Sequence, residues 1–86
     1  MLRIKLNKKE YNYLCQASFI ADQYRKLFFS SEHTDDGYLL KMSPDQADDL
    51  RNLCGERLQL AGFDQNYELT SEGEILESLV DKFFTA

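Results

Sequence analysis

The chain opens on an alternation: Leu2, Ile4 and Leu6 are apolar while Arg3 and Lys5 are charged. A period of two is the signature of a strand with one buried face. Asn7 follows, with Glu10 three residues on. Asn is a favoured N-cap and an acid at N3 can accept from the cap's own N–H, so a helix is expected from about Lys8. No Pro or Gly interrupts the chain from there to about Phe28, and Tyr13, Ala17, Ile20, Tyr24, Leu27 and Phe28 recur at spacings of three and four. They form one helical stripe, which Tyr11, Leu14, Cys15 and Phe19 widen into an unusually broad apolar arc. A break near Ser18, giving two shorter helices, is the alternative.

Ser30 to Gly37 is a polar run closing on Asp-Gly, the composition of a loop and turn. Tyr38, Leu40 and Met42 then alternate with Leu39 and Lys41 as a second strand, and the apolar Leu39 suggests cover on both faces. Ser43-Pro44-Asp45-Gln46 combines an N-cap, a first-position proline, an acid at the positive end of the dipole and a capping-box amide. Ala47, Leu50, Leu53, Cys54, Leu58 and Ala61 mark the helix that follows. Gly62 stands where a left-handed residue ends a helix, and Phe63 can fold back as its hydrophobic contact. A turn at Asp64-Gln65-Asn66 and a short extended link, Tyr67-Glu68-Leu69, lead to Thr70 or Ser71 as the cap of a last helix. Ile75, Leu76, Leu79, Val80, Phe83 and Phe84 give that helix a clean stripe, and a terminus ending Phe-Phe-Thr-Ala is expected to be docked.

The expected fold is therefore α+β: a small two-stranded sheet with three helices in the order β-α-β-α-α. Strand, cap and helix recur at an offset of 36 residues, from Leu2–Glu10 to Tyr38–Gln46, an echo that fits a duplication or a common local solution equally well. Strand orientation is left open, because a long helix permits a parallel crossover or an antiparallel return.

Length places all of residues 1–86 in a single domain. No stretch approaches a membrane span, and the charged, alternating start is unlike a signal peptide, so a cytoplasmic location is expected. The net charge of −5 argues against wrapping a phosphate backbone. That sum hides a split: residues 1–30 carry six bases against two acids, a charge of +4, and the remainder four bases against thirteen acids, a charge of −9. Two halves whose rims attract explain the split most simply; steering of a charged partner is the functional explanation. Cys15 and Cys54 match neither a metal knuckle nor a redox pair and read as small buried hydrophobes.

Candidate chemistry is sparse. His33 lies in the polar loop beside Glu32, Asp35 and Asp36, but a lone imidazole leaves a transition-metal site dependent on carboxylates. Asp64, Asn66, Glu68, Thr70 and Glu72 imitate a calcium loop, yet Leu69 stands where glycine is needed and Ile75 where the bidentate Glu belongs. No nucleophile elbow, P-loop or dinucleotide fingerprint occurs, and no cofactor or metal is implied. Tyrosine is enriched at protein interfaces, and three of the five lie on the first helix.

The run from Asp48 to Phe83 (Asp48-Asp49-Leu50-Arg51, then Gly62-Phe63-Asp64, Asn66-Tyr67, Leu69-Thr70, Glu72-Gly73) resembles a family of small uncharacterised bacterial proteins. The resemblance implies a bacterial source and a helper role, such as a small inhibitor or immunity-type protein; the N-terminal half adds nothing to it. The leading expectation is a non-catalytic, acidic protein-binding module that engages a protein partner through Tyr11, Tyr13, Tyr24, Phe28 and Phe29. One alternative is an immunity protein or antitoxin neutralising a basic toxin or nuclease; another is a small-ligand or weak enzymatic role around His33. Homodimerisation is a further expectation, since a two-stranded sheet makes a thin core unless something covers its other face.

Overall fold

Two capping boxes start the helices that frame the molecule. In the computed structural model, which describes residues 2–84, Asn7 accepts from the Glu10 amide at 2.8 Å while the Glu10 carboxylate accepts from the Asn7 amide at 2.9 Å. Ser43 and Gln46 repeat the arrangement at 3.2 and 2.9 Å. The elements run β1 (Leu2–Leu6), α1 (Lys8–Gln16), α2 (Asp22–Phe29), β2 (Glu32–Thr34), β3 (Gly37–Met42), α3 (Pro44–Ala61) and α4 (Ser71–Phe83). The α+β class expected from the sequence holds, but the described residues form three strands and four helices where two and three were expected.

The extra helix comes from the alternative that placed a break near Ser18. Ala17 leaves α1 in an extended conformation and Ala21 enters α2 in another. An unbroken helix from Lys8 to Phe28 would run roughly 32 Å, whereas strands of five or six residues span about 17–20 Å. Folding at residues 17–21 keeps both halves over the sheet and buries Ile20. The carbonyl of Ala17 accepts from the Ile20 amide within the bend at 3.5 Å and from the Arg25 guanidinium at 2.7 Å.

The extra strand lies within the polar run expected to be a loop. Glu32, His33 and Thr34 pair antiparallel with Leu39, Tyr38 and Gly37, joined by a two-residue turn at Asp35-Asp36. Three polar residues at a sheet edge show no alternation, because no side of that strand is buried in the core. β1 also pairs antiparallel with β3, from Leu2 opposite Met42 to Leu6 opposite Tyr38, so the sheet order is β1-β3-β2.

Ile4, Leu6, Leu40 and Met42 face inward and meet Leu14, Tyr24, Phe28, Leu50, Cys54, Leu76, Leu79 and Phe83 in one core. The opposite face is open, contrary to the expectation raised by Leu39: Arg3, Lys5 and Lys41 are exposed there, and Leu39 is only half-buried opposite Lys5 and Glu32. Cys54 is fully buried, which pushes its thiol up to about 12, and Cys15 packs against the same core. Among the described residues no helix is long and apolar enough to cross a membrane.

Helices α3 and α4 pack against each other, and glycine sets how closely they approach. A Cβ on Gly73 would collide with the backbone of Gly62, and one on Gly62 with Leu58. Gly62 is not the left-handed residue expected of it; its φ is −82°, so glycine serves close approach here and not a turn. Phe83 is buried, but the expected docking of the terminus stops there: Phe84 is largely exposed, with the Arg51 guanidinium 5.3 Å from its ring centre. Thr85 and Ala86 lie outside the described residues.

A second role falls to Glu10. The residue is only 2% exposed, and besides the Asn7 amide its side chain accepts from Ser78 Oγ and from Lys82 Nζ, both on α4. Burial opposes its charge, but the hydrogen bonds from Lys82, Ser78 and Asn7 and the charge of Lys82 outweigh that cost and hold the carboxyl below its ordinary value.

Two outcomes follow from these contacts. Gly73→Ala should cost roughly 1–3 kcal/mol by forcing the helices apart, whereas Gly55→Ala, whose Cβ would meet open space, should gain about 0.5–1 kcal/mol; thermal melts of the two variants check the contrast. Because the folded pKa of Glu10 is depressed, its contribution is complete above the ordinary value of 4.5 and is lost as pH falls below it. Glu10→Gln should lower stability at neutral pH by on the order of 1–3 kcal/mol and flatten the acid limb of a stability-against-pH curve; an unchanged acid limb would contradict this role.

Candidate functional site

The five aromatic residues expected to meet a partner do not form a surface. Tyr24 and Phe28 lie in the core. Tyr11 is half-buried, donates to the Phe28 carbonyl at 3.0 Å and packs against Tyr38 with ring centres 3.7 Å apart and planes tilted by 35°. Tyr13 is half-buried and donates to Glu72; Tyr24 donates to Asp49 at 2.7 Å. Phe29 alone of the five is open, at 72% exposed. The bend at residues 17–21 lets α1 and α2 present their apolar sides to one core, with the phenol hydroxyls reaching its edge. The broad arc is thereby used up by the chain's own sheet and helices.

Beside Tyr13 a shallow cleft of about 270 Å³ opens between the bend, α3 and the first turn of α4. Arg57 Nε lies 3.3 Å from Glu72 Oε2, and its guanidinium carbon sits 5.8 Å from the centre of the Phe19 ring. The hydrogen bond from Tyr13 and the pairing with Arg57 hold Glu72 below the usual carboxylate range against a smaller opposing effect of burial. Burial, reinforced by the Glu72 charge, pushes the Tyr13 phenol well above the ordinary tyrosine range. Glu72 is thus ionised and Tyr13 protonated across neutrality. The trio braces α1, α3 and α4 together.

His33 is exposed and stacks on Tyr38 at 4.9 Å between ring centres. Two of its three acidic neighbours are engaged elsewhere: Glu32 with Lys41 and Asp36 with Lys5, each at 3.0 Å. Among the described residues no group of three or more His, Cys, Asp and Glu side chains is placed to hold a metal ion.

The loop joining α3 to α4, expected from the sequence as a turn and an extended link, is more closely organised than that. It is closed at its neck, where the Thr70 amide donates to the Gly62 carbonyl at 2.9 Å and the Thr70 hydroxyl to that of Ala61 at 3.1 Å. Phe63 and Leu69 form an antiparallel bridge, placing them opposite each other, and the Asp64 amide donates to the Glu68 carbonyl at 2.9 Å. Asp64 Oδ1 in turn accepts from the amides of Asn66 and Glu68 at 2.8 and 3.1 Å. Within this closed frame Tyr67 adopts φ 62°, a left-handed conformation that a bulky side chain seldom takes and that costs on the order of 1–3 kcal/mol.

The side chains of this end face water. Leu60 is 81% and Tyr67 87% exposed, and Phe63 and Leu69 are exposed as well. Phe63 therefore pairs with Leu69 and does not fold back as a helix-capping contact. The available signal was the density of large apolar residues in a turn that needs none of them to close. Comparison with protein-family models, curated proteins and solved structures found no match to this chain.

The Tyr13 phenol gives the cleft its test. Its raised pKa means that it helps stability below the ordinary value of 10.0, and that this help is lost as pH rises through the folded value. Tyr13→Phe should remove one late-ionising phenol from an alkaline ultraviolet titration of the folded protein, and Glu72→Gln should make that phenol ionise earlier. A late phase untouched by both variants would refute the pairing.

Proposed function

We propose that this chain is a small, non-catalytic protein-binding module, acting in the cytoplasm, that meets its partner through the α3–α4 loop and not through α1 and α2. The observation that carries this reading is the group Leu60, Phe63, Tyr67 and Leu69, four large apolar side chains open to solvent within ten residues of chain. Scattered apolar residues are normal on a surface, but a concentration at one end marks an interaction site. The loop's backbone is fully organised by Asp64 and Thr70, so its side chains are presented without a large ordering cost.

A second reading draws support from the charge of −9 on residues 31–86. It makes the module an immunity protein or antitoxin of bacterial origin that neutralises a basic enzyme, in line with the helper role implied by the resemblance of residues 48–83.

A photoreactive residue placed at Leu60 should give one discrete protein adduct in bacterial cells, and the adduct should disappear when Phe63 and Leu69 are both changed to Ser. The same probe at Lys9, on α1, should give none. Adducts of equal yield from both positions, or from Lys9 alone, would overturn the assignment.

A further inference from the structure

We infer that the surface docking on the α3–α4 loop is a cationic protein surface with an apolar centre, and not a second copy of this chain. The inference rests on the reading of that loop as a docking site and adds the chemistry of its occupant. From Leu58 to Asp81 the sequence contains no Lys or Arg, while Asp64, Glu68, Glu74, Glu77 and Asp81 are all exposed. The nearest bases on either side are already engaged, Arg57 with Glu72 and Lys82 with Glu10. On the loop itself the apolar group is therefore accompanied by the exposed carboxylates of Asp64 and Glu68 and by no cation.

A two-fold dimer sets the same patch of each copy against the other. Through this end it would bring Glu68 and Asp64 of one copy toward those of the next, and like charges facing across an interface cost several kcal/mol. A head-to-tail arrangement would instead need an apolar, basic patch elsewhere on the molecule, and at the exposed Phe84 the neighbouring Arg51 is already paired with Asp48 at 3.8 Å. The open face of the sheet carries Arg3, Lys5 and Lys41, but Lys5 and Lys41 are paired with Asp36 and Glu32, and Leu39 there is half-buried. That face offers little apolar surface to match Leu60, Phe63, Tyr67 and Leu69. A partner whose own surface is basic around an apolar centre satisfies both requirements. Tyr67, the most exposed of the four and fixed in a single backbone conformation by the Asp64 frame, would be its anchor, since tyrosine held rigid is a common source of interface energy.

The test uses two amphipathic peptides of equal length and apolar content, one built from Leu and Lys, the other from Leu and Glu, followed by amide chemical shifts of the labelled full chain. The expected result is that the Leu-Lys peptide perturbs residues 58–72 and the Leu-Glu peptide does not. Affinity should fall as salt is raised. It should fall about tenfold in Tyr67→Gly, a change that suits the left-handed backbone and so leaves the fold intact. Glu68→Lys should weaken the Leu-Lys peptide and flatten its salt dependence. Equal binding of both peptides at residues 58–72, or concentration-dependent self-association through those residues, would overturn the cationic assignment while leaving the docking site standing. Shifts confined to other parts of the molecule would overturn both.

Discussion

The carboxylate of Glu10 is the constraint around which this small fold closes. It completes the capping box that starts α1 and, with its two oxygens, reaches Ser78 and Lys82 on α4, about seventy residues later in the chain. A nearly buried charge is tolerable only when its hydrogen-bonding capacity is filled, and here backbone, hydroxyl and ammonium fill it together. Because α1 follows β1 directly, fixing α1 on α4 also fixes β1 over the core; because α4 packs on α3, the same contact sets the helical layer against the sheet. The glycine contact between Gly62 and Gly73 acts at the other end of α4, so that helix is held near both termini.

How far the sequence disclosed this arrangement depended on how local each signal was. Asn7 with Glu10 and Ser43 with Gln46 announce helix starts because both partners lie within four residues. Thr70 was legible as a cap for the same reason. The third strand was hidden because Glu32, His33 and Thr34 gain their structure from the backbone of β3 and bury no side of their own. The bend at Ala17 was visible only as an option, since Ala, Ser and Phe neither forbid nor demand a helix and the decision is made by the size of the sheet beneath.

The candidate site was less legible than the fold, and the reason is physical. A broad apolar arc on α1 and α2 looks the same in sequence whether it serves a core or a partner; only the sheet, two further helices and the hydrogen bonds of Tyr11, Tyr13 and Tyr24 show that it serves the core. Conversely, Tyr67 and Leu69 looked like linker residues because they show no period, and Phe63 like a helix-capping contact, yet the loop closes through main-chain and Asp64 contacts and leaves those side chains unused. Apolar residues that a fold does not need for itself are more informative than those it does.

One helix begins without help. Ala21 precedes α2 and offers no side-chain acceptor to the amides of the first turn, and the Arg25 Nε nearby is buried without a hydrogen-bond partner. Uncapped amides and a short helix are where a native protein opens first. Amide exchange in this molecule should accordingly be graded, fastest in α2 and the three-residue edge strand after it, and slowest in α4, which is pinned at both ends.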